Sequence, residues 1–242
     1  MEFALGFLIA IAIGLTGVGA GTLTTPLMIL LLGLPTQECV GTALIFGAVV
    51  KLFTAPIYLL RRQVDARALA FLLAGGLPGV LGGAFLLHRL TANLALIVIG
   101  ATIFIVSIFH LFRPSPEGRR DRRPMLALAA LPIGAEVGFS SAGSGALGAL
   151  SLMSLTRLNA AEVVGTDLCF GLVLSLLGGG IHASLGSLNV PVLVKLLIGG
   201  IPGALLGAGL ASKIPSAKLR LGLSLAMAIL GSSLVYRGIT TH

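Results

Sequence analysis

Six long, mainly apolar runs constrain this chain more than any other feature, because each is long enough to cross a lipid bilayer. A crossing helix needs about 20 residues. Only 10% of the residues are charged and 56% are hydrophobic, whereas an average soluble domain carries about 25% charged residues. The sequence therefore predicts an all-α polytopic membrane protein and excludes soluble enzymes, secreted disulfide scaffolds and disordered chains. The six runs lie at 38–60, 68–88, 92–112, 160–184, 190–211 and 216–236.

Four further apolar runs are shorter than a full crossing and occur as two pairs, each joined by a glycine-rich break. The first break spans 17–21 (Gly-Val-Gly-Ala-Gly) and the second spans 142–145 (Ala-Gly-Ser-Gly). Such breaks between short apolar helices predict re-entrant or broken helical hairpins that are buried in protein or line a wet cavity. The four short runs lie at 3–18, 21–33, 125–140 and 144–156.

The two halves of the chain form an internal repeat. With an offset of 124 positions, residues 14–113 align on 138–237 without a gap, and about 29 of the paired residues are identical. The matched residues include glycines, prolines, a glutamate and a threonine, which shared hydrophobicity does not explain. We therefore expect an N-terminal repeat at 1–113, a basic linker at 114–124 and a C-terminal repeat at 125–242.

The placement of basic residues predicts how the repeats are oriented. If each short pair re-enters on one face, each repeat has three crossings and the repeats are inverted. Twelve basic residues then share one side and two lie on the other, whereas parallel repeats would split them nine against five. The positive-inside rule therefore favours inverted repeats in the plasma membrane, with both termini outside and the 113–124 loop cytoplasmic. Ten full crossings would give the same split, so the depth of the short helices stays open.

Inverted repeats with broken helices are typical of secondary transporters, whose substrate site lies near the membrane midplane. Glycines leave backbone N–H groups uncovered, and the N-terminus of the following half-helix favours an anion. Hydroxyl side chains beside both breaks add further donors. The alternative is that the glycines only permit tight helix packing or a kink. The candidate substrate-binding residues at the breaks are Thr16, Gly17, Gly19, Gly21, Thr22, Ser141, Gly143, Ser144 and Gly145.

Lys51 is the most informative ionisable residue. It lies about 13 residues, or roughly 20 Å, into its apolar run, and an intramembrane charge costs several kcal/mol unless it is paired or hydrated. Three interpretations are open: direct binding of an anionic substrate, an ion pair with Asp167, or snorkelling to the cytoplasmic headgroups. Glu136 precedes the second break and is either a proton-coupling carboxylate or a hydrogen-bonded structural acid.

Several other polar residues have structural interpretations. Glu38 and Glu162 lie in the first turns of their helices, where acids complement the helix dipole, and Asn159-x-x-Glu162 fits a capping box. Lys195 lies near a helix end and can snorkel. His182 is interpreted as an interfacial residue with a possible gating role.

The sequence predicts no catalytic residue, cofactor, metal site or nucleic-acid partner. The two cysteines, Cys39 and Cys169, share no short motif and imply neither a disulfide framework nor metal ligation. The net charge of +8 comes from basic residues in short loops, where the membrane topology explains them. The glycine-rich helix faces at 75–83 and 199–209 predict close helix packing and leave a homodimer open. The other expected partners are a small anion and the lipid bilayer.

The chain resembles the TauE/SafE family of sulfite exporters over essentially its whole length. The resemblance is carried by the first break followed by Pro26, by 40–44 (Val-Gly-Thr-Ala-Leu) and by the small-residue run 75–84, with the same scheme in the second half. It implies export of a small sulfur oxyanion, sulfite first. Asp167 departs from the family's Gly-Thr-Ser-type stretch, and Ala20 and Thr22 interrupt the glycines of the first break.

The expected mechanism is alternating access, with the anion held between the two break tips and its charge compensated by Lys51. The membrane potential alone would drive anion exit, so proton coupling through Glu136 or Asp167 is optional. The alternatives are an anion channel, a permease for another small anion such as a sulfonate or thiosulfate, and a scaffold without transport activity. A remote alternative is an intramembrane serine hydrolase built from Ser144 and His182.

Overall fold

The computed structural model describes residues 2–16, 21–111, 121–210 and 216–240, with side chains left out at 16, 110–111, 208–209 and 216–220. This part of the chain is built from helices and contains no strand. The helix Gly21–Leu27 continues into a short π-helical segment, Met28–Leu32. The helices are α1 Glu2–Thr16, α2 Gly21–Leu27, α3 Thr36–Leu60, α4 Ala66–Arg89, α5 Ala92–Leu111, α6 Met125–Ser140, α7 Ala146–Leu155, α8 Ala160–Ser184, α9 Val190–Leu210 and α10 Ser216–Thr240.

Six of these helices (α3, α4, α5, α8, α9 and α10) are long and apolar enough to cross a membrane. The other four are short and apolar, and they lie in the chain on either side of the two breaks. The structure therefore confirms the predicted all-α polytopic architecture and the division into six long and four short apolar segments. The predicted bounds agree with the observed helices to within a few residues.

The repeats pack against each other through matching glycine faces. Positions 124 residues apart are called equivalent here. On α4, a β-carbon at Gly75, Gly79 or Gly83 would overlap carbonyl oxygens of α6. The equivalent glycines of α9 lie in the same way against carbonyl oxygens of α1. Small residues let helix backbones approach this closely, which agrees with their structural interpretation. The α9 glycines are Gly199, Gly203 and Gly207.

Equivalent helices of the two repeats meet antiparallel at the centre of the molecule. Gly41, near the start of α3, lies beside His182 near the end of α8, and Gly165 near the start of α8 lies beside Tyr58 near the end of α3. The helices α5 and α10 also pack on each other, around the close approach of Gly100 to Gly231. Two long helices of one repeat thus pack directly on the equivalent helices of the other.

Hydrogen bonds between the repeats occur in equivalent pairs. The backbone N–H of Asn189 donates to Thr42 Oγ1, and that of Asp65 donates to Thr166 Oγ1, both at 3.0 Å. Asp65 also caps α4, since its Oδ1 accepts from Ala68 N–H at 2.8 Å. These bonds tie the start of each following helix to the central α3–α8 pair.

The interpretations of the helix-end acids also hold. The Asn159 side chain accepts from the backbone of the first turn of α8, and Glu162 Oε2 accepts from Asn159 N–H at 2.9 Å, so the predicted capping box is confirmed. Glu38 lies in the first turn of α3 and accepts from Asn189 Nδ2 at 3.1 Å. Lys195 forms an ion pair with Glu2 at 2.9 Å.

Candidate functional site at the two helix breaks

The second break is a tight chain reversal between α6 and α7. Its residues Ser141, Gly143 and Gly145 have φ angles of 63°, 89° and 103°. This left-handed region is disfavoured for side chains with a β-carbon and accessible to glycine. The glycines at 143 and 145 therefore allow the chain to turn at Ser144, whose side chain is fully enclosed at 1% exposure.

The two breaks meet inside the protein. Gly21, the first residue of α2, lies so close to Ser141 that a β-carbon there would overlap the carbonyl oxygen and Oγ of Ser141. The hydroxyl groups of Thr25 and Ser141 are hydrogen-bonded at 2.6 Å. Thr22 is buried in the first turn of α2. Of the other candidates in the first break, Gly17, Gly19 and the side chain of Thr16 lie outside the described residues.

Lys51 extends from the middle of α3 to the second break. Its Nζ donates to Ser144 Oγ at 3.0 Å and to Ser175 Oγ at 3.2 Å, and the residue is only 4% exposed. Gly171 of α8 makes room for the amino group, because a β-carbon there would lie 2.6 Å from Nζ. Lys51 and Ser175 are equivalent residues, so this bond joins the same position of the two repeats.

Asp167 lies against the start of α7 and is also 4% exposed. Its Oδ1 accepts from Gly145 N–H at 3.4 Å, and a β-carbon at Gly148 would overlap the same oxygen. The carboxylate and the Lys51 amino group interact electrostatically. The ion pairs formed by the described residues, however, do not include a direct Lys51–Asp167 contact. The second break thus holds one cationic and one acidic group side by side.

Glu136 lies in the last turns of α6, just before the second break. Its Oε1 accepts from Ser140 Oγ at 2.5 Å, and that hydroxyl in turn accepts from Ala142 N–H at 3.1 Å. The side chain packs on the turn itself, since a β-carbon at Gly143 would lie 3.0 Å from Glu136 Cγ. These contacts make Glu136 a support of the turn, whereas Lys51 is bonded to Ser144 and Ser175.

His182 lies in the last turn of α8 and is enclosed by the protein. Its ring is fully buried, and Nε2 donates to the Gly138 carbonyl oxygen at 2.9 Å. The ring lies on that of His88, with centroids 5.1 Å apart, and His88 Nε2 is bonded to Ser187 Oγ at 3.0 Å. Because the two histidines lie on helices from different repeats, no local sequence pattern indicated the pair.

The catalytic pairing considered for Ser144 and His182 is not formed in the structure. Ser144 is bonded to Lys51, whereas the Nε2 atom of His182 is bonded to Gly138. Within the described residues there is no cluster of three or more histidine, cysteine or acidic side chains that could hold a metal ion. The second break therefore brings together hydroxyl, amide and ammonium donors, which can bind an oxyanion, and the two carboxylates of Glu136 and Asp167.

The family comparison agrees with this description. The family model described as "Sulfite exporter TauE/SafE" matches residues 2–234. The chain belongs to the TauE/SafE family. Like other TauE/SafE proteins it is a membrane transporter, and the resemblance inferred from its motifs is confirmed.

Two curated relatives of this TauE/SafE protein come from Bacillus subtilis (strain 168). The probable membrane transporter protein YjnA is 27% identical over 248 residues, which cover 96% of this chain and 97% of the relative. The probable membrane transporter protein YdhB is 29% identical over 245 residues, covering 95% and 97%. No solved structure matches the chain significantly.

Proposed function

We propose that this membrane transporter exports a small sulfur-containing oxyanion, sulfite first, through a site between its two helix breaks. The observation that carries the proposal is the Lys51 amino group, buried beside the second break between Ser144 and Ser175. An ammonium group has three N–H donors, and the described residues accept from two of them. The third can donate to a bound oxyanion, whose negative charge Lys51 would balance.

The proposed site combines donors from both breaks. Hydroxyl groups of Thr16, Thr22, Ser141 and Ser144 and backbone N–H groups at the glycines would surround the anion. The contact of Gly21 with Ser141 supports this arrangement, because it brings the two breaks to one place. The glycines of the proposed site are Gly17, Gly19, Gly21, Gly143 and Gly145.

We further propose that the repeats 1–113 and 125–242 are inverted across the plasma membrane, with the 113–124 loop cytoplasmic. The antiparallel contact of the equivalent helices α3 and α8 supports inversion, as does the one-sided placement of basic residues. Rocking of one repeat against the other would then expose the site alternately to each side. The inside-negative potential favours anion exit by about 2.3 kcal/mol per charge per 100 mV.

The test is sulfite flux into proteoliposomes, compared with sulfate and chloride, for wild type, Lys51→Met and Lys195→Met. We expect sulfite flux in the wild type and at least a tenfold loss in Lys51→Met, because a charge-assisted hydrogen bond contributes about 1.5–3 kcal/mol. Lys195→Met removes a lysine from α9 that pairs with Glu2 at 42% exposure, so it serves as the matched control. Equal flux in both variants would contradict the central anion site.

An anion channel, or a permease for another anion, would use the same site. Measurements on the same proteoliposomes distinguish these functions from sulfite export. A channel would give currents far above the turnover of a carrier. A permease would prefer a sulfonate or thiosulfate over sulfite in competition assays. If no sulfur anion moves while the protein remains folded, the substrate class is wrong. A homodimer is tested separately by the mass of the purified protein in detergent.

A further inference from the structure

The two repeats differ in chemistry at the start of the second half-helix. In the second repeat, Asp167 places a carboxylate oxygen against the first turn of α7, and Gly148 leaves the space for it. In the first repeat Ala43 is equivalent to Asp167, and Thr24 is equivalent to Gly148. The larger side chain of the pair therefore lies on the long helix in the second repeat and on the half-helix in the first. An acidic group therefore lies at only one of the two breaks among the described residues.

The Asp167 carboxylate lies where a bound oxyanion would find its best donors. It accepts a hydrogen bond from Gly145 N–H and interacts electrostatically with the Lys51 amino group. The same N–H and ammonium groups would attract an anion to the second break. An entering oxyanion would bring a second negative charge beside one ammonium group. Two carboxylate-like charges in one buried site repel strongly, and the usual outcome is that one of them takes up a proton.

We propose that Asp167 takes up one proton when the anion binds and releases it when the anion leaves, so that each exported anion carries one proton with it. This inference rests on the proposed function of the site. A water molecule on the cytoplasmic side delivers the proton to a carboxylate oxygen of Asp167, and the neutral acid no longer competes for Gly145 N–H. On the outer side the proton returns to water and the carboxylate again pairs electrostatically with Lys51.

The surroundings of Asp167 select it over Glu136 as the coupling group. From α3 the ionisable group facing Asp167 is Lys51, and α7 contributes none. From α6, Glu136 is bonded to Ser140 and packs on Gly143. From α4, His88 lies beside His182 instead. Asp167 is thus the carboxylate whose protonation the bound anion and Lys51 would affect directly.

The charge moved per cycle provides the test. With Asp167 protonated, an anion and a proton move together, so one negative charge fewer crosses the membrane. In Asp167→Asn the amide cannot carry the proton, and the same anion moves alone. At zero net flux, the ratio of sulfite concentrations across the membrane depends on the charge moved per cycle. If the variant moves one more charge than wild type, its ratio changes by an additional factor of about ten for every 59 mV applied. The membrane voltage is varied instead of the pH gradient, because sulfite itself binds protons and a pH gradient would redistribute it in every variant.

The experiment measures sulfite accumulation in proteoliposomes at equal internal and external pH, with potassium gradients and valinomycin setting the voltage. Wild type, Asp167→Asn and Glu136→Gln are compared, with protein-free vesicles subtracted. We expect the extra tenfold response per 59 mV in Asp167→Asn and the wild-type voltage dependence in Glu136→Gln. Asp167→Ala, which copies Ala43 of the first repeat, provides a second variant with the same expected response should the amide variant fold poorly.

Failure of this inference is distinguishable from failure of the proposed function. If wild type accumulates no sulfite, the proposed function fails. If wild type accumulates sulfite and both Asp167 variants keep its voltage dependence, the coupling role of Asp167 is overturned while the transport function stands. An extra response in Glu136→Gln alone would assign the proton to the other carboxylate and would also overturn the proposal.

Discussion

The two helix breaks descend from the same repeated pattern, yet their chemistry differs. The second break is flanked by Glu136 and Asp167 and receives the amino group of Lys51. At the first break the residues equivalent to the two acids are Ala12 and Ala43. The first break thus contributes hydroxyl groups such as Thr25, and the ionisable groups described for the site gather at the second.

The packing between the repeats, in contrast, is the same on both sides. The threonines at 42 and 166 accept equivalent backbone N–H groups, and the glycines of α4 and α9 contact α6 and α1 at equivalent positions. The centre cannot follow this symmetry, because Lys51 Nζ and its equivalent residue Ser175 are only 3.2 Å apart. A symmetric chain would place two ammonium groups there, and two like charges at that distance in a buried site repel strongly. A duplicated scaffold can therefore keep its packing but must diverge where equivalent residues touch.

The largest expected effect comes from separating the two breaks. Gly21→Ala places a β-carbon on the carbonyl oxygen of Ser141, and forced overpacking costs about 3 kcal/mol, occasionally more. We expect a lower unfolding temperature in detergent and at least a tenfold loss of sulfite flux. Gly180→Ala is the matched control, since no atom lies within 4 Å of the added carbon. Equal stability of the two variants would contradict the close contact of the breaks.

The next largest effect is expected when side chains at the second break are replaced by those of the equivalent residues at the first. Gly148→Thr copies Thr24 of the first repeat and collides with the Asp167 carboxylate, so we expect about 2 kcal/mol of destabilisation. Adding Asp167→Ala, which copies Ala43, should recover at least half of it. A double-mutant cycle on the free energy of unfolding measures the coupling. Additive effects of the two substitutions would show that these side chains do not share one space.

A smaller effect is expected from the two hydroxyl groups that hold Lys51. Ser144→Ala and Ser175→Ala each remove one hydrogen bond to a charged group, with an expected cost of about 1.5 kcal/mol in unfolding free energy. If only Ser144 also contacts the substrate, its variant alone should raise the KM for sulfite several-fold. Ser154→Ala, at an exposed serine of α7, controls for general loss of a hydroxyl in the same helix. An identical rise in KM for Ser175→Ala would place both hydroxyls at the anion.

The smallest expected effect tests the symmetric part of the comparison. Thr42→Val and Thr166→Val each remove one hydrogen bond between the repeats, and such bonds within membrane proteins contribute about 0.6 kcal/mol on average. We expect equal losses of stability, and additivity in the double variant because the two bonds lie at opposite ends of the α3–α8 pair. Unfolding in detergent measures all three proteins. A clear inequality would break the equivalence of the two ends.

Much of the fold follows from local patterns that the sequence displays directly. Run lengths predicted the division into six long and four short helices, since the thickness of a bilayer sets the length of a crossing. Asn159 and Glu162 indicated their capping box because both partners lie within one turn. The repeated glycines predicted close helix packing for a similar reason, because the spacing that places them on one face is visible in the sequence. The alignment of the halves predicted the repeat itself.

The distant side chains that meet at the site could be identified only from the packing of the helices. The depth of Lys51 indicated a buried charge, but Ser144 and Ser175 became its partners through the packing of α3 against α8 and the second break. The same packing put Asp167 on Gly145 and buried the ring of His182. Hydropathy and spacing act along one segment of chain, whereas the partner of a buried polar group depends on which helices the fold brings within hydrogen-bond distance.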